Sequence, residues 1–169
     1  MPYANKEHEE FHEKLKQTLY TLYGKNEVEE LNDLTMYMWR GSSVVHITAS
    51  TYGKEDKPMA EIWCKVTVGT PLTDALAKYL IVENSKLNFG AFSFYPYDDD
   101  PSKGNVVFEL NFPGFALSEE YLEHMIGMVS WTGDEYDDQI AQRFGGRTME
   151  QVVSSNTEPT DKSEDEVWE

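Results

Sequence analysis

Two consecutive runs of alternating side chains constrain this chain more than any other feature. In Val44–Tyr52, Val45, Ile47 and Ala49 alternate with His46, Thr48 and Ser50. In Ala60–Val68, Ala60, Ile62, Cys64, Val66 and Val68 alternate with Glu61, Trp63, Lys65 and Thr67. A period of two marks a half-buried strand, because successive side chains point to opposite faces of a sheet. The polar loop Gly53–Pro58 breaks both periodicities and separates the runs. Adjacent strands of like pattern argue an antiparallel sheet with one covered face, and apolar surface elsewhere in the chain must cover it.

Three helices supply that surface. From Asn5 to Tyr23, Phe11, Leu15, Leu19 and Leu22 recur on one helical face. Asn5 suits the cap, Glu7, Glu9 and Glu10 suit the positive N-terminal dipole, and Gly24 ends the run. A second helix is expected to open at Thr70-Pro71 and fade near Asn84, with Leu72, Leu76, Tyr79 and Leu80 on its apolar face. A third, capped by Ser118, carries Leu122, Met125, Ile126, Val129, Tyr136, Ile140 and Phe144 and stops at Gly145-Gly146. Thr35–Arg40 reads as a further strand, and Ala91–Tyr97 and Val106–Phe112 as a hairpin. The expected fold is α+β, a single antiparallel sheet of about five strands in the order α-β-β-β-α-β-β-α, with the helices packed on one face. One domain over 1–153 is expected, followed by an acidic, disordered tail over 154–169 that is nearly bare of apolar residues except Val167 and Trp168.

Charge narrows the function classes. The 31 acidic and 14 basic side chains leave a net charge of −17. Such a chain repels phosphate backbones and anionic lipid, so neither nucleic acid nor membrane is an expected partner. A basic protein segment is the partner that charge favours. The single cysteine, Cys64, cannot form an intrachain disulfide, and no apolar run approaches the ~20 residues of a membrane span. With no basic-then-apolar leader at the start, a cytoplasmic location is expected.

Motifs for catalysis are few. His8-Glu9-Glu10-Phe11-His12 matches H-E-x-x-H, the spacing that puts two imidazoles on one helix face around zinc with the Glu as general base. Phe11, however, belongs to the apolar stripe, and neither His46 nor His124 stands at ligand spacing for a third bond. Two histidines beside an apolar stripe is the preferred reading, and a zinc hydrolase using His8 and His12 is the alternative. Asp98, Asp100, Ser102 and Glu109 follow a calcium-loop count, but Pro101 intrudes and the flanks read as strands. Cys64, on the inward side of its strand, reads as an inert core thiol. No metal, cofactor or catalytic residue is expected. Trp63, Tyr52 and Tyr95 share the outward parity of their strands. Aromatics on a wet sheet face can anchor a peptide, although cross-strand pairing alone, or cover by the tail, would also account for them.

Three stretches, Trp39-Arg40-Gly41-Ser42-Ser43-Val44-Val45, Glu83-Asn84-Ser85-Lys86-Leu87-Asn88-Phe89-Gly90-Ala91-Phe92, and Tyr136-Asp137-Asp138-Gln139-Ile140 with Phe144-Gly145-Gly146, together resemble the YbjN-like family, in particular its cyanobacterial branch. That family is related in fold to the type III secretion chaperones. The resemblance implies a non-enzymatic protein- or peptide-binding role, homodimerisation, and clients held as extended segments, partly by strand addition. A structural subunit of a larger complex is a further alternative.

Overall fold

The computed structural model describes residues 2–156. Of the tail expected over 154–169, residues 157–169 lie outside the described residues. The elements are α1 (Lys6–Tyr23), β1 (Glu29–Glu30), β2 (Thr35–Arg40), β3 (Ser43–Tyr52), β4 (Lys57–Pro71), α2 (Asp74–Asn84), β5 (Ala91–Pro96), β6 (Lys103–Pro113), α3 (Glu119–Phe144) and α4 (Met149–Asn156). All six strands form one antiparallel sheet in the order β1-β2-β3-β4-β6-β5. The fold is α+β as expected, with one strand more than the five read from the sequence. The extra strand is β1, too short to carry a periodicity.

Capping follows the local chemistry. Asn5 accepts the His8 amide at 2.9 Å, Thr73 that of Leu76 at 3.1 Å, and Ser118 that of Tyr121 at 3.2 Å. The start of α2 corrects the sequence reading. Thr70 and Pro71 pair with Gly104 and Lys103 as the last residues of β4, so the helix waits for Thr73. Ladder pairing outweighs the local preference of a Thr-Pro step for a helix start.

The first three helices cover one face. Phe11, Leu15 and Leu19 of α1, Leu76 and Leu80 of α2, and Leu122, Met125, Ile126, Val129 and Ile140 of α3 form a single core with Val45, Ile47, Ala60, Ile62, Cys64, Val66 and Phe108 of the sheet. Each fully buried Leu or Ile there contributes roughly 2 kcal/mol. Gly133 lets α3 approach closely: a Cβ at that position would stand 2.6 Å from Ser43 Oγ and 2.8 Å from Cys64 Sγ. One residue further on, Asp134 accepts hydrogen bonds from the hydroxyls of Ser42 (2.8 Å) and Ser43 (2.7 Å) and locks the β2–β3 turn to the helix. Among the described residues, no helix is long and apolar enough to cross a membrane.

The three stretches that carry the family resemblance meet in space as tie points. Asn84 brackets the backbone of Phe92, accepting its amide at 2.6 Å and donating to its carbonyl at 3.0 Å. Glu83 accepts the Tyr136 hydroxyl at 3.0 Å, and Ser42 donates to Asp137 at 3.4 Å. Gly90 has φ +69°, and a Cβ there would stand 2.6 Å from Phe108 Cζ and 2.7 Å from the Glu109 carbonyl oxygen. Gly90→Ala is therefore expected to cost roughly 2–4 kcal/mol by urea denaturation, from left-handed strain plus overpacking. Gly127→Ala, in α3 with open space around its Cβ, is expected to be neutral or to stabilise by up to ~1 kcal/mol.

Candidate functional site

The sheet face turned away from α1–α3 holds a row of side chains that crosses five strands. Glu29 pairs with Tyr37, Tyr37 with His46, His46 with Trp63, and Trp63 with Glu109. The His46 and Trp63 rings stack with centroids 3.8 Å apart and an interplanar angle of 3°. Tyr37 tilts against the other side of His46 at 6.0 Å. Carboxylates therefore stand at both ends of an aromatic row. Tyr37 donates to Glu29 at 2.5 Å, and Glu109 accepts from Ser93 at 2.5 Å and from Tyr95 at 2.8 Å. Burial and the hydrogen bonds to these carboxylates hold both tyrosine hydroxyls up at about 12, so both donate throughout the neutral range.

His46 is 1 % exposed although it lies on this open side. Burial, aided by the nearby Lys65 cation, pushes its imidazole down to about 4. The stack is thus a neutral imidazole on an indole, an apolar plate rather than a cationic one. Lys65, two residues beyond Trp63 on the same side, is itself buried, and desolvation lowers its pKa.

A helix that the sequence reading missed covers one end of this face. After α3, Arg147 forms a two-bond bridge to Val68 (2.8 and 2.9 Å), which carries the chain across the end of the sheet. Thr148 and Gln151 then exchange side-chain-to-amide bonds of 3.3 and 3.0 Å, a capping box that starts α4. The buried Met149 and Val152 of α4 lie outside the main core, as do Val44 and Val107, which neighbour core residues in their strands and so point the other way. Val153 and Ser154 flank a cleft of about 400 Å³ with Trp39, Gly41 and Ser42. The helices expected from the sequence pack on one face, and α4 adds a partial layer on the other.

Of the three aromatics singled out from the sequence, the structure brings two together. Trp63 and Tyr95 meet through Glu109, one as its register partner and the other as its hydrogen-bond donor. Tyr52 stands at the far end of β3, where it lines a separate cleft of about 270 Å³ with Phe11, Lys14, Pro58 and Phe115. His8 has both ring nitrogens engaged by the backbone: Nδ1 accepts the Ala4 amide at 3.2 Å, which leaves Nε2 to donate to the Ala49 carbonyl at 3.1 Å. His12 Nδ1 meets the Tyr3 hydroxyl at 2.9 Å. Among the described residues no group of three or more His, Cys, Asp or Glu side chains converges as a metal site. Asp100 bonds Ser102 within its own turn, while Glu109 is engaged on the sheet, so the calcium-loop count does not gather in space. Cys64 is fully buried, and desolvation with the Asp134 charge pushes its thiol up to about 12. Tyr37, His46 and Glu109 were missed. Their outward parity was legible, but the register that aligns them with Trp63 was not.

A family model described as T3SS (YopN, CesT) and YbjN peptide-binding chaperone 1 matches residues 9–152. No curated protein matches the chain.

The low pKa of His46 has a definite consequence for stability. A histidine held neutral in the fold, with its unfolded counterpart titrating near 6.5, contributes fully above that pH and loses its contribution as pH falls toward about 4. His46→Phe keeps a flat ring and removes the titration. By pH 4.5 the wild type should have lost on the order of 2 kcal/mol more than the variant, relative to pH 7, in urea denaturation. Parallel decline of the two proteins would show that His46 is not held neutral.

Proposed function

The chain belongs to the T3SS and YbjN peptide-binding chaperone family, and from that premise we propose that it holds an extended segment of a client protein across its open sheet face. The observation that carries this reading is the row Glu29–Tyr37–His46–Trp63–Glu109. Its centre is the half-buried Trp63 ring, backed by the buried His46 imidazole, and an aromatic so placed can anchor a client. Its ends are carboxylates. Four inter-strand steps of ~4.8 Å separate them by roughly 19 Å, which about six residues of extended chain span. A client with an aromatic or aliphatic anchor between two basic residues matches that pattern, and the net charge of −17 would speed its approach.

A sheet edge allows a second mode of contact, in which a client segment runs along a strand instead of across the face. β5 is a terminal strand of the sheet, and β1 covers β2 only at Met36 and Tyr37. Backbone donors and acceptors along Met38–Arg40 thus offer a strand-addition site beside the aromatic row, whereas Asn84 already engages the edge of β5 at Phe92. Self-association, implied by the resemblance, would draw on Ile81 and Val82, which α2 leaves 69 % and 52 % exposed.

Fluorescence anisotropy with a labelled, unstructured peptide carrying one tryptophan between arginines tests the proposal. Trp63→Ala should weaken binding about tenfold, the size expected for one buried aromatic anchor. Tyr52→Ala should leave affinity within about twofold. Equal affinities for wild type and Trp63→Ala would remove the open face as the binding surface.

A further inference from the structure

We infer that α4 is a displaceable cover on the open face: it occupies the row of side chains next to the aromatic row, and a client laid across the face lifts it. The displacement rests on the binding role proposed above; the separate opening of α4 does not.

The strand registers place the covered row. Trp39 stands two residues beyond Tyr37 in β2, Val44 two before His46 in β3, Lys65 two beyond Trp63 in β4, and Val107 two before Glu109 in β6. That spacing keeps all four on the open face, one step of ~6.8 Å along the strands from the aromatic row. Trp39 pairs with Val44 and Lys65 with Val107, so the four run parallel to it. Val44 is buried although it lies outside the main core. Its cover is α4, which packs on β3 and β4, buries Met149 and Val152 outside the main core as well, and shares a cleft with Trp39 through Val153.

The cover is built to come away. A helix of eight residues does not persist in water without packing. Of its side chains from Met149 to Ser155, Met149 and Val152 are buried and the others exposed. Its capping box lies within the segment and goes with it. The tie that brings the chain to this side, the pair of backbone bonds between Arg147 and Val68, lies before α4 and holds when the helix lifts.

Client and cover compete for the same space. An α-helix with its side chains is roughly 10–12 Å across. Seated one ~6.8 Å step away, it reaches to within roughly 1–2 Å of the midline of the aromatic row. An extended segment lying along that row needs this space itself. Lifting α4 clears the approach to Trp63 and adds Val44 to the surface the client meets. Undocking α4 is then part of the cost of binding, so α4 sets the affinity of the face below it.

Amide hydrogen exchange on the full chain, read residue by residue by NMR, tests both halves. In the free protein the amides of Val153, Ser154 and Ser155 should exchange at least ~100-fold faster than those of Ile62 and Cys64, as expected of a unit that opens alone. Val152→Asn, a neutral change outside the main core, should speed α4 exchange about tenfold and leave β3 and β4 as they are. Exchange of α4 in step with β3 and β4, or a variant in which all three speed up alike, would overturn the inference by making α4 part of one cooperative unit. With the labelled arginine–tryptophan peptide at saturation, α4 exchange should rise at least ~tenfold while β2, β3 and β4 gain protection, and Val152→Asn should bind the peptide several-fold more tightly by anisotropy. Retained or added protection of α4 in the complex, or unchanged affinity of the variant, would overturn the displacement. A sheet that gains no protection would remove the binding role and the displacement with it, and the free-protein comparison would still decide whether α4 opens alone.

Discussion

In the β3–β4 pair Val45 faces Cys64 and His46 faces Trp63, and much of the molecule depends on that register. It sends Val45, Ile47, Ala60, Ile62 and Cys64 into the helix-covered core and leaves His46, Trp63 and Lys65 on the opposite side. A slip of one residue would exchange the two sets, placing an indole, an imidazole and an ammonium under α3. The close approach of α3 at Gly133 meets Ser43 and Cys64 together, which requires both on the covered face as this register places them. The same alternation therefore builds the core and sets the aromatic row on the other face of the sheet.

The extent to which this was legible varies by element. The alternation of β3 and β4 and the apolar faces of α1 and α3 were plain because each runs for several periods. β1 has two residues and no pattern to read. The start of α2 misled because Thr70-Pro71 is a good local helix opening, and only pairing with Lys103 and Gly104 shows that it is strand. For α4 a signal was present, Thr148 followed three residues later by Gln151, but eight residues give too little helical period to stand out. The aromatic row was half legible. Parity placed Trp63 and Tyr95 on the outer face, whereas the alignment of Tyr37, His46 and Glu109 with Trp63 depends on three strand registers at once. Tyr52 shared the parity yet lies at another cleft, since parity fixes a face and not a position along it.

The stretches that carry the family resemblance turn out to be structural. Asn84 clamps Phe92, Glu83 receives Tyr136, and Ser42 reaches Asp137. These bonds fix how α2, β5, the β2–β3 turn and α3 sit together. They mark the scaffold; the proposed binding row lies on side chains between them. This division is expected when a scaffold is kept rigid so that its surface can vary.

The central claim is that an extended peptide binds on the open sheet face rather than on the helical side. Hydrogen exchange with mass spectrometry, comparing free and peptide-saturated protein, measures this directly. The account predicts added protection in β2, β3, β4 and β5, with α1 and α2 unchanged. Protection concentrated in α1 or α2, with the sheet exchanging as in the free protein, would contradict it.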